Sequence, residues 1–145
     1  MAISIVNNQN VLPINPYKIR RRLGLVLANL QFKGAGLTVL VTDDQEIRVL
    51  NRDFRGLDQS TNVLSFSDTN LAKGLTGYLG DIAISSQTIL RQSQQEGIDP
   101  GELFYFYLIH AVLHLAGHDH ELGQAQDQAQ QKETERLLAL IKCDL

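Results

Sequence analysis

The sequence predicts an α+β fold: a small mixed β-sheet packed with about five helices around a central apolar helix. Three observations carry this. Short β-branched runs (ISIVN, LTVLVTDD, NVLSFSD, DIAIS) alternate with longer stretches of helical period. One segment, LFYFYLIHAVLHLA, is apolar nearly all round, which places it in the middle of a domain rather than on its surface. The 145 residues, 43% of them hydrophobic, contain no repeat, linker or charge block, so residues 1–145 read as a single domain with a real core.

In chain order, residues 3–7 form a short strand, and Pro16 opens a helix running to about residue 31 with Ile19, Leu23, Leu27 and Leu30 on one face. The run 37–44 is a buried strand. Asp43 and Glu46 have the spacing of a capping box, starting a helix whose Ile47, Leu50 and Phe54 repeat on the core side and which stops near Gly56. A strand over 62–68 is followed by the glycine-punctuated NLAKGLTGYLGD, and residues 81–85 return to the sheet. Ser86 caps a helix ending at Gly97. Asp99, Pro100 and Glu102 supply an N-cap, a proline at the first helical position and an acidic third residue for the central helix. Gly117 stops that helix. A last, largely polar helix spans about 124–141 with Leu137, Leu138 and Ile141 facing inward.

Composition narrows the function classes. No apolar run approaches the roughly 18 residues of a membrane span, and MAISIVNNQN lacks the regions of a signal peptide, so the expectation is a cytoplasmic protein with no membrane partner. A lone cysteine, Cys143, reads as an incidental reduced thiol. The net charge of −3 gives no global sign of nucleic-acid binding. An anionic partner would need a local basic patch.

All four histidines fall within HAVLHLAGHDH, residues 110–120. Residues four apart lie one turn apart on the same helix face, so His110 and His114 can clamp one ion. The turn at Gly117 then allows His120 to return as a third ligand, leaving a position open, as in catalytic rather than structural zinc sites. Two unpartnered imidazoles in so apolar a helix would cost about 1–3 kcal/mol each, and a metal satisfies both. His118 competes for the third place, but the H-x-x-x-H-x-x-G-x-x-H spacing of metzincin proteases favours His120. Neutral nitrogen ligands suit zinc, with nickel, copper and iron open from ligand type alone.

In those proteases a general-base glutamate follows the first histidine; here the residue is Ala111. Peptide hydrolysis by that route lacks its base, although a metalloprotease-like metal hydrolase remains an alternative. A zinc ion alone still activates water near neutral pH, which points toward phosphate esters. Asp119 is the nearest carboxylate, read either as a solvated turn residue or as a second-layer partner orienting an imidazole. For phosphate binding, Arg48, Arg52 and Arg55 form one stripe on the second helix, about a quarter turn from the core stripe. Arg55, at the helix end, is the best placed, and its planar fork suits phosphate oxygens. Arg20, Arg21 and Arg22 spread around their helix and are less informative.

Four motifs together resemble the YbeY-type ribosomal-RNA maturation endoribonucleases. LNRDFRGLDQSTNVLSF (50–66) resembles that family's L-N-x-x-[YF]-R-x-x-D-x-x-T-[DN]-V-L-S-F block, and LGDIAIS (79–85) its L-G-D-[IL]-x-I-[SC] block. HAVLHLAGHDH resembles H-G-x-L-H-L-x-G-[YH]-D-H, and ETERLLAL its closing acidic-apolar helix. The resemblance runs from about residue 37 to the end. It implies one zinc ion per chain on His110, His114 and His120, and a functional arginine at Arg55. It further implies a single-strand-specific endoribonuclease for 3′-end maturation of small-subunit ribosomal RNA and ribosome quality control. The implied partners are single-stranded ribosomal RNA, the small ribosomal subunit and rRNA-processing factors. A ribosome-assembly factor with a largely structural zinc is the alternative. Either water or a ribose 2′-hydroxyl activated by the metal could attack phosphorus. The chain departs from the family pattern at Ala111 (usually glycine), at Ser60 (often proline) and in SFSD (usually S-F-P). None removes a ligand, and they bear on how the loop after Phe66 is held.

Overall fold

The computed structural model describes residues 2–67, 77–117 and 124–142, the first four of the last stretch as backbone only. Among these residues the elements run β1 (Ile3–Asn7), α1 (Pro16–Asn29), β2 (Gly36–Thr42), α2 (Asp44–Arg55), β3 (Val63–Ser67), β4 (Tyr78–Ser85), α3 (Ser86–Glu96), α4 (Pro100–Leu115) and α5 (Gln124–Lys142). The strands form one sheet in the order β1-β2-β4-β3, in which β1, β2 and β4 are parallel and β3 is antiparallel to β4. This is the predicted α+β class with its mixed sheet.

Strand register assigns the two sheet faces. The pairs Ile5↔Val39, Val39↔Ile82 and Val41↔Ile84 put these side chains on one side. There they join Leu23 and Leu27 of α1, Leu108 and Val112 of α4 and Leu137 of α5 in the main core. On the other side Leu40, Leu64, Phe66 and Ala83 are closed over by Ile47 and Leu50 of α2. The helix α4 touches β3, β4, α3 and α5. Eight of its residues are buried, including Leu103, Phe104 and Leu113, so the apolar segment is the centre of the domain as its composition predicts.

The caps follow the sequence signals with two amendments. Asp43 accepts from the Glu46 amide at 2.8 Å, but the Glu46 carboxylate accepts from the Thr42 hydroxyl at 2.5 Å, so only half of the capping box forms. The α3 cap is Ser85 rather than Ser86. Ser85 Oγ accepts from the Thr88 amide at 3.3 Å, whereas Ser86 Oγ donates to the Thr42 carbonyl across the sheet end. Asp99 caps α4 through the Glu102 amide at 3.1 Å, with Pro100 at the first helical position as expected.

Two expectations fail for packing reasons. Phe54 is on the same helical stripe as Ile47, yet it is 69% exposed while Ile47 is fully buried. Among the described residues the sheet ends at β3, so the last turn of α2 meets it only at Phe66, whose ring lies 5.3 Å from that of Phe54. The strand β4 begins at Tyr78, three residues before DIAIS, inside the glycine-punctuated stretch that the sequence placed before the return to the sheet. Gly80 (φ +150°) does not make a turn. A Cβ there would lie 2.4 Å from the Phe66 carbonyl oxygen of the neighbouring strand, so glycine allows the close approach of two backbones. Among the described residues, no helix is long and apolar enough to cross a membrane.

Candidate active site

His110 and His114 lie in the last two turns of α4, four residues apart and hence on one face, and both are half-buried. Tyr107 shares that stripe, three residues before His110. Burial and the nearby Glu96 push its hydroxyl above its ordinary range, against a hydrogen bond with Asn62, so it stays protonated at neutral pH. Helix α4 ends at Leu115 with Ala116 as its cap, and Gly117 follows at φ +106°, a backbone turn that a residue with a Cβ rarely adopts. His118, Asp119 and His120 lie outside the described residues, as do Cys143 and the loop from 68 to 76. Among the described residues no three metal-binding side chains cluster. The structure therefore brings together the His110–His114 pair and leaves the third ligand position untested.

The surroundings of the pair suit a cation held by neutral nitrogen donors. Across from His110 on α5 lies Gln130, only 1% exposed. Its Nε2 is 3.5 Å from His110 Nδ1 and 3.4 Å from the His110 carbonyl oxygen, and its own Oε1 is buried with no donor among the described residues. An unsatisfied buried carbonyl costs about 1–3 kcal/mol, so the amide environment is incomplete as it stands. A histidine carrying a metal on one ring nitrogen presents N–H on the other, which needs an acceptor.

Sequence reading missed Gln130, although a signal exists. Residues 130, 134, 137, 138 and 141 fall at i, i+4, i+7, i+8 and i+11, one continuous face. Gln130 and Thr134 are buried with Leu137, Leu138 and Ile141, so the inward stripe of α5 begins with two polar residues. Thr134 hydrogen-bonds back to the Gln130 carbonyl at 2.8 Å, which leaves the glutamine side chain as the one reaching α4.

The arginine stripe of α2 divides by partner. Arg48 pairs with Asp58 (Nε to Oδ1 2.8 Å) and Arg52 with Asp53 (3.1 Å), all more than half exposed. Arg55, the last residue of α2, is exposed and makes no ion pair among the described residues. The segment after it is tied down by Asn51. Its buried amide donates to the Gln59 carbonyl at 2.9 Å, and its backbone carbonyl accepts from the Leu57 amide at 3.3 Å. Of the three arginines, Arg55 keeps its guanidinium available for an anion. A cavity of about 500 Å³ lies elsewhere, lined by Asn15, Lys18, Arg22, Pro100 and Phe104 at the opening end of α4, and neither His110 nor His114 borders it.

Comparison with known proteins bears on the whole chain. The family model described as Endoribonuclease YbeY matches residues 4–141. A protein of that name from Chloroflexus aurantiacus is 38% identical over 130 residues, spanning 85% of this chain and 84% of its own length. One from Geobacter sulfurreducens is 33% identical over 98% of this chain and 97% of its own. The solution structure of a Thermotoga maritima protein superposes with a TM-score of 0.63, covering 98% of this chain and 93% of that one at 20% identity, which bears on the fold alone. With the histidine helix at the core of a shared fold and the match extending from β1 to α5, the chain belongs to the Endoribonuclease YbeY family.

Proposed function

We propose that the chain is a single-strand-specific endoribonuclease of ribosomal RNA processing, acting in 3′-end maturation of small-subunit rRNA and in ribosome quality control. In this reading one zinc ion per chain is held by His110, His114 and His120. Its working partners are single-stranded rRNA, the small ribosomal subunit and other processing factors, in the cytoplasm. The observation that carries the reading is the His110–His114 pair on one face of the buried helix α4, in a chain that belongs to the Endoribonuclease YbeY family.

A bound zinc supplies Lewis-acid polarisation of a phosphoryl oxygen and acidifies an attacking hydroxyl at neutral pH. The chain's own groups divide the remaining work. The two imidazoles, fixed on a helix packed on several sides, hold their donor atoms rigidly. Arg55, with no carboxylate competing for it among the described residues, binds a non-bridging phosphate oxygen through its planar fork. Ala111, buried beside His110, supplies no base, so proton removal from the nucleophile does not fall to the residue that serves zinc proteases. Asp119, next to the third proposed ligand, is assigned to orienting an imidazole.

The test is metal analysis of purified wild type and His120→Ala, followed by cleavage of a single-stranded rRNA fragment by both and by Arg55→Ala. The reading expects about one zinc per wild-type chain, loss of metal and cleavage in His120→Ala, and metal-replete but strongly impaired cleavage in Arg55→Ala. Equal metal content in wild type and His120→Ala would overturn the three-histidine set. A metal-loaded wild type that never cuts RNA would leave an assembly factor with a structural zinc.

A further inference from the structure

The Gln130 carbonyl, which has no donor among the described residues, and the tautomer of His110 are two sides of one contact. Gln130 faces Nδ1 of His110 at 3.5 Å, so in the reading of His110 as a ligand the cation is held through Nε2. A neutral imidazole that ligates through Nε2 carries its proton on Nδ1. In the structure Nε2 of Gln130 points its N–H toward Nδ1, which favours the opposite tautomer, protonated on the nitrogen that must bind the metal. Oxygen and nitrogen of a side-chain amide occupy nearly the same volume, and a half-turn about the terminal torsion exchanges them. After that turn Oε1 accepts from Nδ1–H and the carbonyl that lacks a donor among the described residues acquires one, in exchange for the long 3.4 Å bond from Nε2 to the His110 carbonyl oxygen.

We propose that Gln130 is the positioning residue of the metal site, accepting the Nδ1 proton of His110 through Oε1 and thereby locking this histidine in the ligating tautomer and orientation. The inference rests on the reading of His110 as a ligand. Placement supports it. Gln130 is 1% exposed, so water does not compete as acceptor, and the Thr134 hydroxyl bonds the Gln130 backbone rather than its amide. Metal-bound histidines commonly have such a partner, most often a carboxylate or a carbonyl. Here the partner comes from a different helix, so the ligand on α4 is oriented by α5.

The test uses the full chain loaded with zinc, and with cobalt as a spectroscopic stand-in. Dissociation constants are measured by competition with a chromophoric chelator for wild type, Gln130→Met, Gln130→Glu and His110→Ala. The proposal expects Gln130→Met to lose about 10- to 100-fold in affinity, with a thermal midpoint in the metal-free state close to that of wild type. Gln130→Glu, which keeps an acceptor, should bind at least as tightly as wild type. Nitrogen-15 shifts of the His110 ring in the zinc-loaded wild type should report protonation at Nδ1 with its proton slowed in solvent exchange, a readout that needs no variant to fold. Wild-type affinity in Gln130→Met, or a Nδ1 proton exchanging as freely as in an exposed histidine, would overturn the proposal. Unchanged affinity in His110→Ala would instead bring down the ligand assignment beneath it.

Discussion

Gly80→Ala is the sharpest test of how the sheet supports the histidine helix. The added Cβ would lie 2.4 Å from the Phe66 carbonyl oxygen and 3.0 Å from Leu115 Cδ2. The leucine tip can rotate away, but the carbonyl belongs to a strand hydrogen-bonded to β4, and reaching an ordinary carbon–oxygen separation of about 3.3 Å moves β3 by close to 1 Å. A φ of +150° adds backbone strain of about 1–3 kcal/mol for a residue with a Cβ, and the overpacking adds about 1–3 kcal/mol. The sum, about 2–6 kcal/mol, corresponds to a fall in thermal midpoint of about 6–18 °C for a chain of this size. Circular dichroism melts of Gly80→Ala and Gly24→Ala make the assay. Gly24 lies inside α1 with no atom within 4 Å of a built Cβ, so alanine there should stabilise by about 0.5–1 kcal/mol. A Gly80→Ala melt within about 2 °C of wild type would refute the close-approach argument. Because Leu115 adjoins His114, the same variant should also weaken metal binding.

Further expectations concern charge, packing and metal. Asp44 accepts hydrogen bonds from Ser85 and Thr88 at 2.6 Å each and pairs with Arg91 at 3.0 Å. Burial alone would raise its carboxyl, but those three partners together outweigh burial and hold it below the usual 3.8. Its stabilisation is therefore complete above about pH 4 and lost as pH falls through the lowered value, and Asp44→Asn should flatten this acid limb in urea titrations at stepped pH. Ile47→Ala should cost about 2–5 kcal/mol, whereas exposed Phe54→Ser should stay under about 1 kcal/mol; equal losses by chemical denaturation would restore Phe54 to the core. Arg48→Ala, removing an exposed pair, should cost no more than about 1 kcal/mol. Zinc at a hundredfold excess over its dissociation constant should stabilise the wild type by about 2.7 kcal/mol, and His114→Ala should abolish that gain in melts with and without chelator.

What was legible in the sequence was what depends on local pattern. The Asp99-Pro100-Glu102 start, the all-round apolarity of α4 and the i, i+4 spacing of His110 and His114 each act within a few residues, and each is found in the structure. What was not legible depends on where the sheet ends and which elements meet across it. Phe54 obeys the helical period and is exposed because, among the described residues, no strand beyond β3 lies beneath it. Gly80 reads as loop punctuation, since its reason is an oxygen fourteen residues earlier on the adjoining strand. Gln130 looks like one more polar residue in a polar helix until α4 is laid against it.

The contact between α4 and α5 also sets an order of events. Leu137 and Ile141 share the main core with Leu108 and Val112, and Gln130 reaches His110 only when that packing is made. Since α5 follows α4 in the chain, the histidine helix leaves the ribosome before the helix that orients it. A nascent chain of this kind would carry His110 and His114 before Gln130 could reach the first of them, so the contact between the two helices is completed only when α5 docks.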